Sequence, residues 1–254
     1  MRFQDKVAVI TGAADGIGRA TSRILAGEGA HLVAVDINPA ALAALAEEIE
    51  TGGGSVTTME VNVLDSQQAE GMVDSVVSSL GRIDILVNAV GGSTIIPNSR
   101  ATVDDLTLED WDNIIDFNLR GTFLCTNAVI KRMKQQGIGK IINLSSVAGH
   151  GATDTSSAYA TAKAGIMAFT KKVAVEAGPY GVTCNAIAPG MTLSDRILRG
   201  WEQRSEEEKR RSIEAIPLGR PAEPEDQAKV IAFLASSDAD YVTGVTIDVN
   251  GGQY

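Results

Sequence analysis

The sequence is poor in the residues that build metal sites and disulfides. It has two cysteines, Cys125 and Cys184, and two histidines, His31 and His150, in 254 residues. Both cysteines sit among apolar neighbours and read as buried thiols. The histidines form no ligand cluster, so no metal site is expected. Positive charge is also in deficit, with 22 Lys and Arg against 32 Asp and Glu, a net charge of −10. A broadly acidic surface disfavours nonspecific binding to nucleic acid and to anionic membranes. Residues 1–6 open no signal-peptide apolar run, and no window reaches the roughly 18 unbroken apolar residues of a membrane helix. A protein of a reducing, cytoplasmic compartment is expected, with neither nucleic acid nor membrane as partner.

Hydrophobic residues make up 44% and charged residues 21%, which is a globular composition, and the 26 glycines are many for the length. Apolar runs alternate with amphipathic stretches throughout. Strands are predicted at 7–10, 32–35, 55–61, 83–87, 140–144, 182–187 and 246–249. Helices are predicted at 17–28, 39–50, 66–80, 108–135, 157–177 and 224–235, with a charge-rich helical stretch at 194–213. Pro39 suits a first helical turn, where its missing N–H is not needed. Short buried strands alternating with helices imply right-handed crossovers and a parallel sheet covered on both faces. The expected fold class is therefore α/β, a Rossmann-type doubly wound parallel sheet of about seven strands in a single domain over 1–254. No repeat or linker interrupts it.

Ligands on such sheets bind at the carboxyl ends of the strands. Residues 11–18, Thr-Gly-Ala-Ala-Asp-Gly-Ile-Gly, join the first strand to the first helix. Gly12 permits the sharp turn, Gly16 lets a pyrophosphate approach the backbone, and Gly18 lets helix and strand pack closely. The helix start, from Ile17, offers free N–H groups to phosphate. Asp36 ends the second strand, 18 residues beyond Gly18, where a carboxylate accepts hydrogen bonds from adenosine ribose hydroxyls. Asp36 and Asp15 both repel a 2′-phosphate, so the expected cofactor is NAD rather than NADP, with Ile37 beside Asp36 in the site.

Tyr159 and Lys163 stand at i and i+4 on one helix face. A free phenol ionises near pH 10, and a nearby ammonium favours phenolate. Ser145 and Ser146 end a strand, from which a hydroxyl can donate to a carbonyl oxygen. Asn118 lies inside a predicted helix, where its type is mildly unfavourable. That makes it a candidate anchor for a water-linked proton path.

Together these pieces closely resemble the short-chain dehydrogenase/reductase family, from Lys6 to Gly252. The resemblance rests on the glycine spacing at 11–18 and on 143–149, Asn-Leu-Ser-Ser-Val-Ala-Gly. It also rests on Tyr159 with Lys163, on Asn118 within Phe-Asn-Leu-Arg-Gly, and on Pro189-Gly190 beneath the nicotinamide. Ser146 stands 13 residues before Tyr159, as the family pattern requires. The resemblance implies that Tyr159 is the general acid/base and that Ser146 holds the substrate oxygen. It further implies that Lys163 lowers the Tyr159 pKa and binds the nicotinamide ribose, and that Asn118 holds a water. Three positions depart from the pattern. Asn88-Ala89-Val90-Gly91 replaces Asn-Asn-Ala-Gly. Asn62-Val63 replaces Asp-Val at the adenine. Ser194 stands where Thr is usual, with Thr192 as a competing hydroxyl for the carboxamide.

The implied reaction moves a hydride between NAD and a small-molecule secondary alcohol or ketone. Ser93, Ser146, Gly151, Ser156 and Tyr159 are the expected substrate contacts, with His150 nearby and a lid over about 191–213. The lid arginines, Arg196 among them, read more simply as paired with the interleaved glutamates than as substrate ligands. An NADPH-dependent 3-oxoacyl-carrier-protein reductase is the alternative enzyme. A nucleotide-binding regulatory protein without catalysis is the alternative of another class. The resemblance also implies a homotetramer, with the helices around Asn118 and Tyr159 and the C-terminal strand at its interfaces.

Overall fold

The computed structural model describes residues 1–151 and 153–253. Seven strands are found among them: β1 (Val7–Thr11), β2 (His31–Asp36), β3 (Ser55–Glu60), β4 (Ile85–Asn88), β5 (Gly139–Leu144), β6 (Val182–Pro189) and β7 (Thr246–Val249). They form one parallel sheet in the order β3-β2-β1-β4-β5-β6-β7. The winding direction reverses between β1 and β4, which opens a crevice at their carboxyl ends. The helices are α1 (Gly16–Gly27), α2 (Pro39–Thr51), α3 (Ser66–Leu80), α4 (Leu108–Ile115), α5 (Gly121–Gln136), α6 (Ser157–Ala177), α7 (Asp195–Glu202), α8 (Glu206–Glu214) and α9 (Pro224–Ala235).

The inner strands are buried at nearly every position because both sheet faces are covered there, whereas the edge strand β3 is largely exposed. Successive residues point to opposite faces. Ala8 and Ile10 pack with Leu25 of α1, Leu45 of α2 and Ile231 of α9. Val7 and Val9 pack with Met72 of α3, Val129 of α5 and Val173 of α6. Cys125 and Cys184 lie free in this second layer, and burial pushes both thiols up to about 12. Helix starts follow their caps: Asn38 Oδ1 accepts from Ala41 N at 3.1 Å, and Asp65 Oδ1 from Gln67 N at 2.9 Å. No described helix is long and apolar enough to cross a membrane.

Two elements differ from expectation. The long helix predicted at 108–135 is interrupted by a widened π turn, Asp116–Arg120, between α4 and α5. Asn118 Nδ2 donates to Ile114 O at 3.0 Å, so the side chain occupies the carbonyl that the backbone N–H of Asn118 would use in an α-helix. Such insertion displaces the ladder by one residue. The charge-rich stretch expected at 194–213 is two helices. Ser205 ends the first segment by capping the second: its Oγ accepts from Glu208 N at 3.3 Å, and Glu208 Oε2 accepts from Ser205 N at 2.8 Å. This Ser-x-x-Glu capping box is a helix-start signal lying inside the predicted helix.

Candidate active site

A cleft of about 890 Å³ runs along the carboxyl ends of the strands. At one end it is walled by the turn after β1. Gly12 takes φ +64° and Gly16 φ +49°, left-handed values that favour glycine. A Cβ on Gly18 would stand 2.0 Å from Gly12 O, so the turn and α1 are in contact at a distance only glycine allows. Helix geometry leaves the N–H groups of Ile17 and Gly18 without partners inside α1, while Asp15 caps the helix by accepting from Gly16 N at 2.7 Å. Asp36 lines the cleft at the end of β2, held by Ala14 N at 3.2 Å and Asn38 N at 3.1 Å. Among the described residues, the Lys and Arg that line the cleft are Arg100, Lys163, Arg196 and Arg204, and none of them belongs to the turn or to the strand ends around Asp36. Arg19, on α1, is committed to Glu48 at 3.0 Å.

The other end is built by β5, α6 and the turn after β4. Ser145 and Ser146 alternate about the strand end. Ser145 Oγ turns to the helix and donates to Lys163 O at 2.8 Å. Ser146 Oγ accepts from Ala148 N at 3.1 Å, and its hydroxyl favours the ionised form of the Tyr159 phenol beside it. One helical turn on, the Lys163 Nζ lies 5.6 Å from the Tyr159 ring centre and donates to Leu144 O at 2.9 Å. Lys163 is only 2% exposed. Burial, reinforced by the charge of Arg196, pushes its amine down to about 7. Burial raises the Tyr159 phenol above its ordinary value, against the opposing pull of the Ser146 hydroxyl and of Arg196. The protein environment by itself therefore disfavours phenolate, and an added positive charge in the cleft would have to favour it.

Most residues expected at the site line this one cleft: Gly12, Asp15, Gly16, Ile17, Gly18, Asp36, Ile37, Asn62, Val63, Ala89, Ser93, Ser146, Tyr159, Lys163, Pro189, Gly190, Thr192 and Ser194. Four lie outside it. Asn88 is buried beneath, where its Nδ2 donates to Thr126 Oγ1 at 3.1 Å and to Asn143 Oδ1 at 2.8 Å, joining β4 to α5 and β5. Asn118 stands behind the Gly91–Gly92 turn. Ser156 is fully buried as the cap of α6, its Oγ accepting from Tyr159 N at 3.4 Å, so it supports Tyr159 from behind. Gly151, at φ +94°, ends the short turn after Ser146 and does not line the cleft. His150, expected near the substrate, instead pairs with Asp248 of β7 at 2.8 Å.

Two of the departures acquire a geometry. Asn62 Oδ1 accepts from Leu64 N at 3.0 Å, which leaves one of its two lone-pair directions for another donor. Thr192 Oγ1 is held between Gly190 O and Gln227 Nε2, both at 3.2 Å. Ser194 makes no cap bond to α7 and packs against Gly16, its Cβ 3.0 Å from where a Cβ on Gly16 would stand. The sequence reading missed Arg100, Phe117, Thr155 and Gln253, which line the outer cleft. Arg100, Thr155 and Gln253 come from loops and the last described residues, where no periodicity or spacing points to them, and Phe117 comes from the π turn beside Asn118.

The donors and shape suit a nicotinamide dinucleotide. The glycine turn with its helix start fits a diphosphate, Asp36 fits a ribose diol, and Lys163 with Tyr159 and Ser146 lie at the far end of the same cleft. A model of the family described as enoyl-(acyl carrier protein) reductase matches residues 12–253. The chain is 40% identical to the 3-oxoacyl-[acyl-carrier-protein] reductase FabG of Thermotoga maritima, covering 99% of both chains. It is 37% identical to levodione reductase of Leifsonia aquatica, covering 99% of this chain and 95% of that protein. Among solved structures, levodione reductase matches with a TM-score of 0.90 at 35% identity, covering 99% of this chain and 98% of that one. NAD+-bound xylitol dehydrogenase matches with a TM-score of 0.91 at 30% identity, covering 99% and 100%. The chain belongs to the short-chain dehydrogenase/reductase family, and it is an oxidoreductase of that family.

Proposed function

We propose that the chain oxidises a secondary alcohol, or reduces the matching ketone, with NAD as its cofactor. The observation that carries this reading is the convergence of Ser146, Tyr159 and Lys163 on the cleft that the glycine turn and Asp36 share. When bound, the nicotinamide accepts or supplies the hydride. Ser146 donates to the substrate oxygen and orients it. Tyr159 takes the hydroxyl proton in oxidation and returns it in reduction. Lys163 holds the nicotinamide ribose hydroxyls and, when protonated, offsets the burial that raises the phenol. The Asn118 side chain is committed to Gly92 and Ile114, so a water in the proton path would rest on its main-chain carbonyl. In oxidation, two electrons and one hydrogen leave the carbinol carbon as hydride, and one proton leaves through Tyr159.

NAD is favoured by Asp36 and by the lack of a lining cation beside it among the described residues. The 40% identity to a 3-oxoacyl-carrier-protein reductase favours a second reading, reduction of a 3-oxoacyl thioester with NADPH. Steady-state rates with NADH and NADPH, on neutral ketones and on a 3-oxoacyl thioester, separate the two. NADH-linked ketone reduction supports the first; NADPH-linked thioester reduction with little ketone activity supports the second. Binding of either cofactor without turnover would leave a regulatory protein. A homotetramer is also proposed, supported by exposed apolar side chains on helix faces, Leu108 of α4, Phe123 of α5 and Val175 of α6. Light scattering should give four times the chain mass, and a monomer mass would contradict it.

A further inference from the structure

Arg196, near the start of α7, reaches over the cleft to the turn after β4. Its Nη2 donates to Gly91 O at 3.2 Å, and a Cβ on Gly92 would lie 2.5 Å from its guanidinium nitrogens. A Cβ on Gly91 would lie 2.9 Å from Lys163 Nζ, so the two glycines form a floor shared by Arg196 and Lys163. Three of the other lid cations conform to the paired pattern: Lys209 with Glu206 at 2.8 Å, Arg210 with Glu207 at 2.8 Å, and Arg211 with Glu207 at 2.9 Å; Arg199 makes no such pair among the described residues and does not line the cleft. The other arginines of the cleft are engaged too. Arg100 pairs with Asp154 at 3.2 Å, and Arg204 lies 5.4 Å over the Trp201 ring and donates to Ser212. Among the described residues, no carboxylate stands within ion-pair distance of Arg196.

Arg196 is solvent-exposed and lines the cleft, so its guanidinium is accessible to an anion there. A cation in the first turn of α7 opposes the helix dipole, and it stands near a second cationic side chain. In a chain of net charge −10 it makes a local positive spot at the reacting end of the cleft. We infer that Arg196 receives a carboxylate of the substrate, making the substrate an oxo acid or the matching hydroxy acid; this rests on the hydride-transfer reading above. The planar guanidinium pairs with a carboxylate through two parallel hydrogen bonds. A phosphate ester, with a charge near −2, would call for a second uncommitted cation. The dinucleotide diphosphate is the competing anion, but its expected seat is the glycine turn across the cleft.

The test compares 2-oxobutanoate and 3-oxobutanoate with their methyl esters, in the wild type and in Arg196→Met, Arg196→Lys and Arg199→Met. Arg199 lies on the same helix and does not line the cleft. The readouts are kcat/KM for each acid and its ester, the NADH dissociation constant, and the thermal shift given by each acid in the presence of NADH. The wild type should prefer at least one acid to its ester. Arg196→Met should lower that acid-to-ester ratio at least about 30-fold, the size of a charge-assisted pair, and abolish the acid's thermal shift. Arg196→Lys should restore part of both, and Arg199→Met should change neither. A ratio unmoved by Arg196→Met, or an effect confined to NADH affinity, would overturn the inference while leaving hydride transfer standing. If no substrate turns over, the thermal shift decides the carboxylate site independently, and the hydride-transfer reading alone has failed.

Discussion

Asn118 and Gly92 are tied by a pair of opposed hydrogen bonds: Gly92 N donates to Asn118 Oδ1 at 2.8 Å, and Asn118 Nδ2 donates to Gly92 O at 3.0 Å. The same amide also holds Ile114 O, which widens the helical turn around it. One buried side chain thus sets both the π turn and the loop that forms the floor beneath Lys163. Asn118→Leu strands the buried Gly92 groups and should cost about 1–3 kcal/mol in urea unfolding. It should also lower kcat, while ADP-ribose, which needs only the Asp36 end, binds about as before. Unchanged stability and turnover would show that the loop keeps its place without the amide.

The sheet and most of the cofactor wall were legible in the sequence because they depend on local signals. Residues 66–80, 157–177, 224–235 and 246–249 form the elements predicted there, since caps, Pro224 and apolar periodicity all lie within each segment. The turn at Gly12, Gly16 and Gly18 was readable for the same reason. The π turn was not, because the Asn118 amide that takes Ile114 O is held in place by Gly92, 26 residues away. Ser156 was expected to meet substrate and instead caps α6, a role its place immediately before the predicted helix start at 157 already suits. Arg196 was grouped with the other lid arginines because charge interleaving gives no sign of which one faces inward. The pairing rule holds for α8 and fails on α7, where neither Arg196 nor Arg199 has a carboxylate partner among the described residues.

Cofactor choice should reside in Asp36. Asp36 lines the cleft where a ribose diol would lie, and among the described residues no lining cation there would neutralise a 2′-phosphate. The wild type should have a higher kcat/KM with NADH than with NADPH. Asp36→Asn removes the repelling charge and weakens the diol acceptors, so it should lower that preference about tenfold or more, equivalent to about 1.4 kcal/mol. A preference unmoved by Asp36→Asn would place discrimination elsewhere.

Lys163 should make cofactor-free stability depend on pH. Its amine is held down to about 7 in the fold, against about 10.4 in an unfolded chain. Between those values the unfolded chain holds a proton that the folded chain has released. Stability from this residue therefore rises with pH from about 7 to about 10 and is flat below. Melting temperatures of the cofactor-free wild type should gain on those of Lys163→Met across that interval. Parallel curves would mean that the lysine titrates at its ordinary value.

The proposed reaction depends on the Tyr159 phenol moving the proton at the substrate oxygen. The most direct measurement is kcat of Tyr159→Phe beside its NADH dissociation constant, since the variant removes one hydroxyl and keeps the ring packed against Ile114 and Ala158. Loss of turnover by about 10²–10⁴-fold with NADH affinity retained is the predicted result. A variant that turns over as fast as the wild type would contradict it.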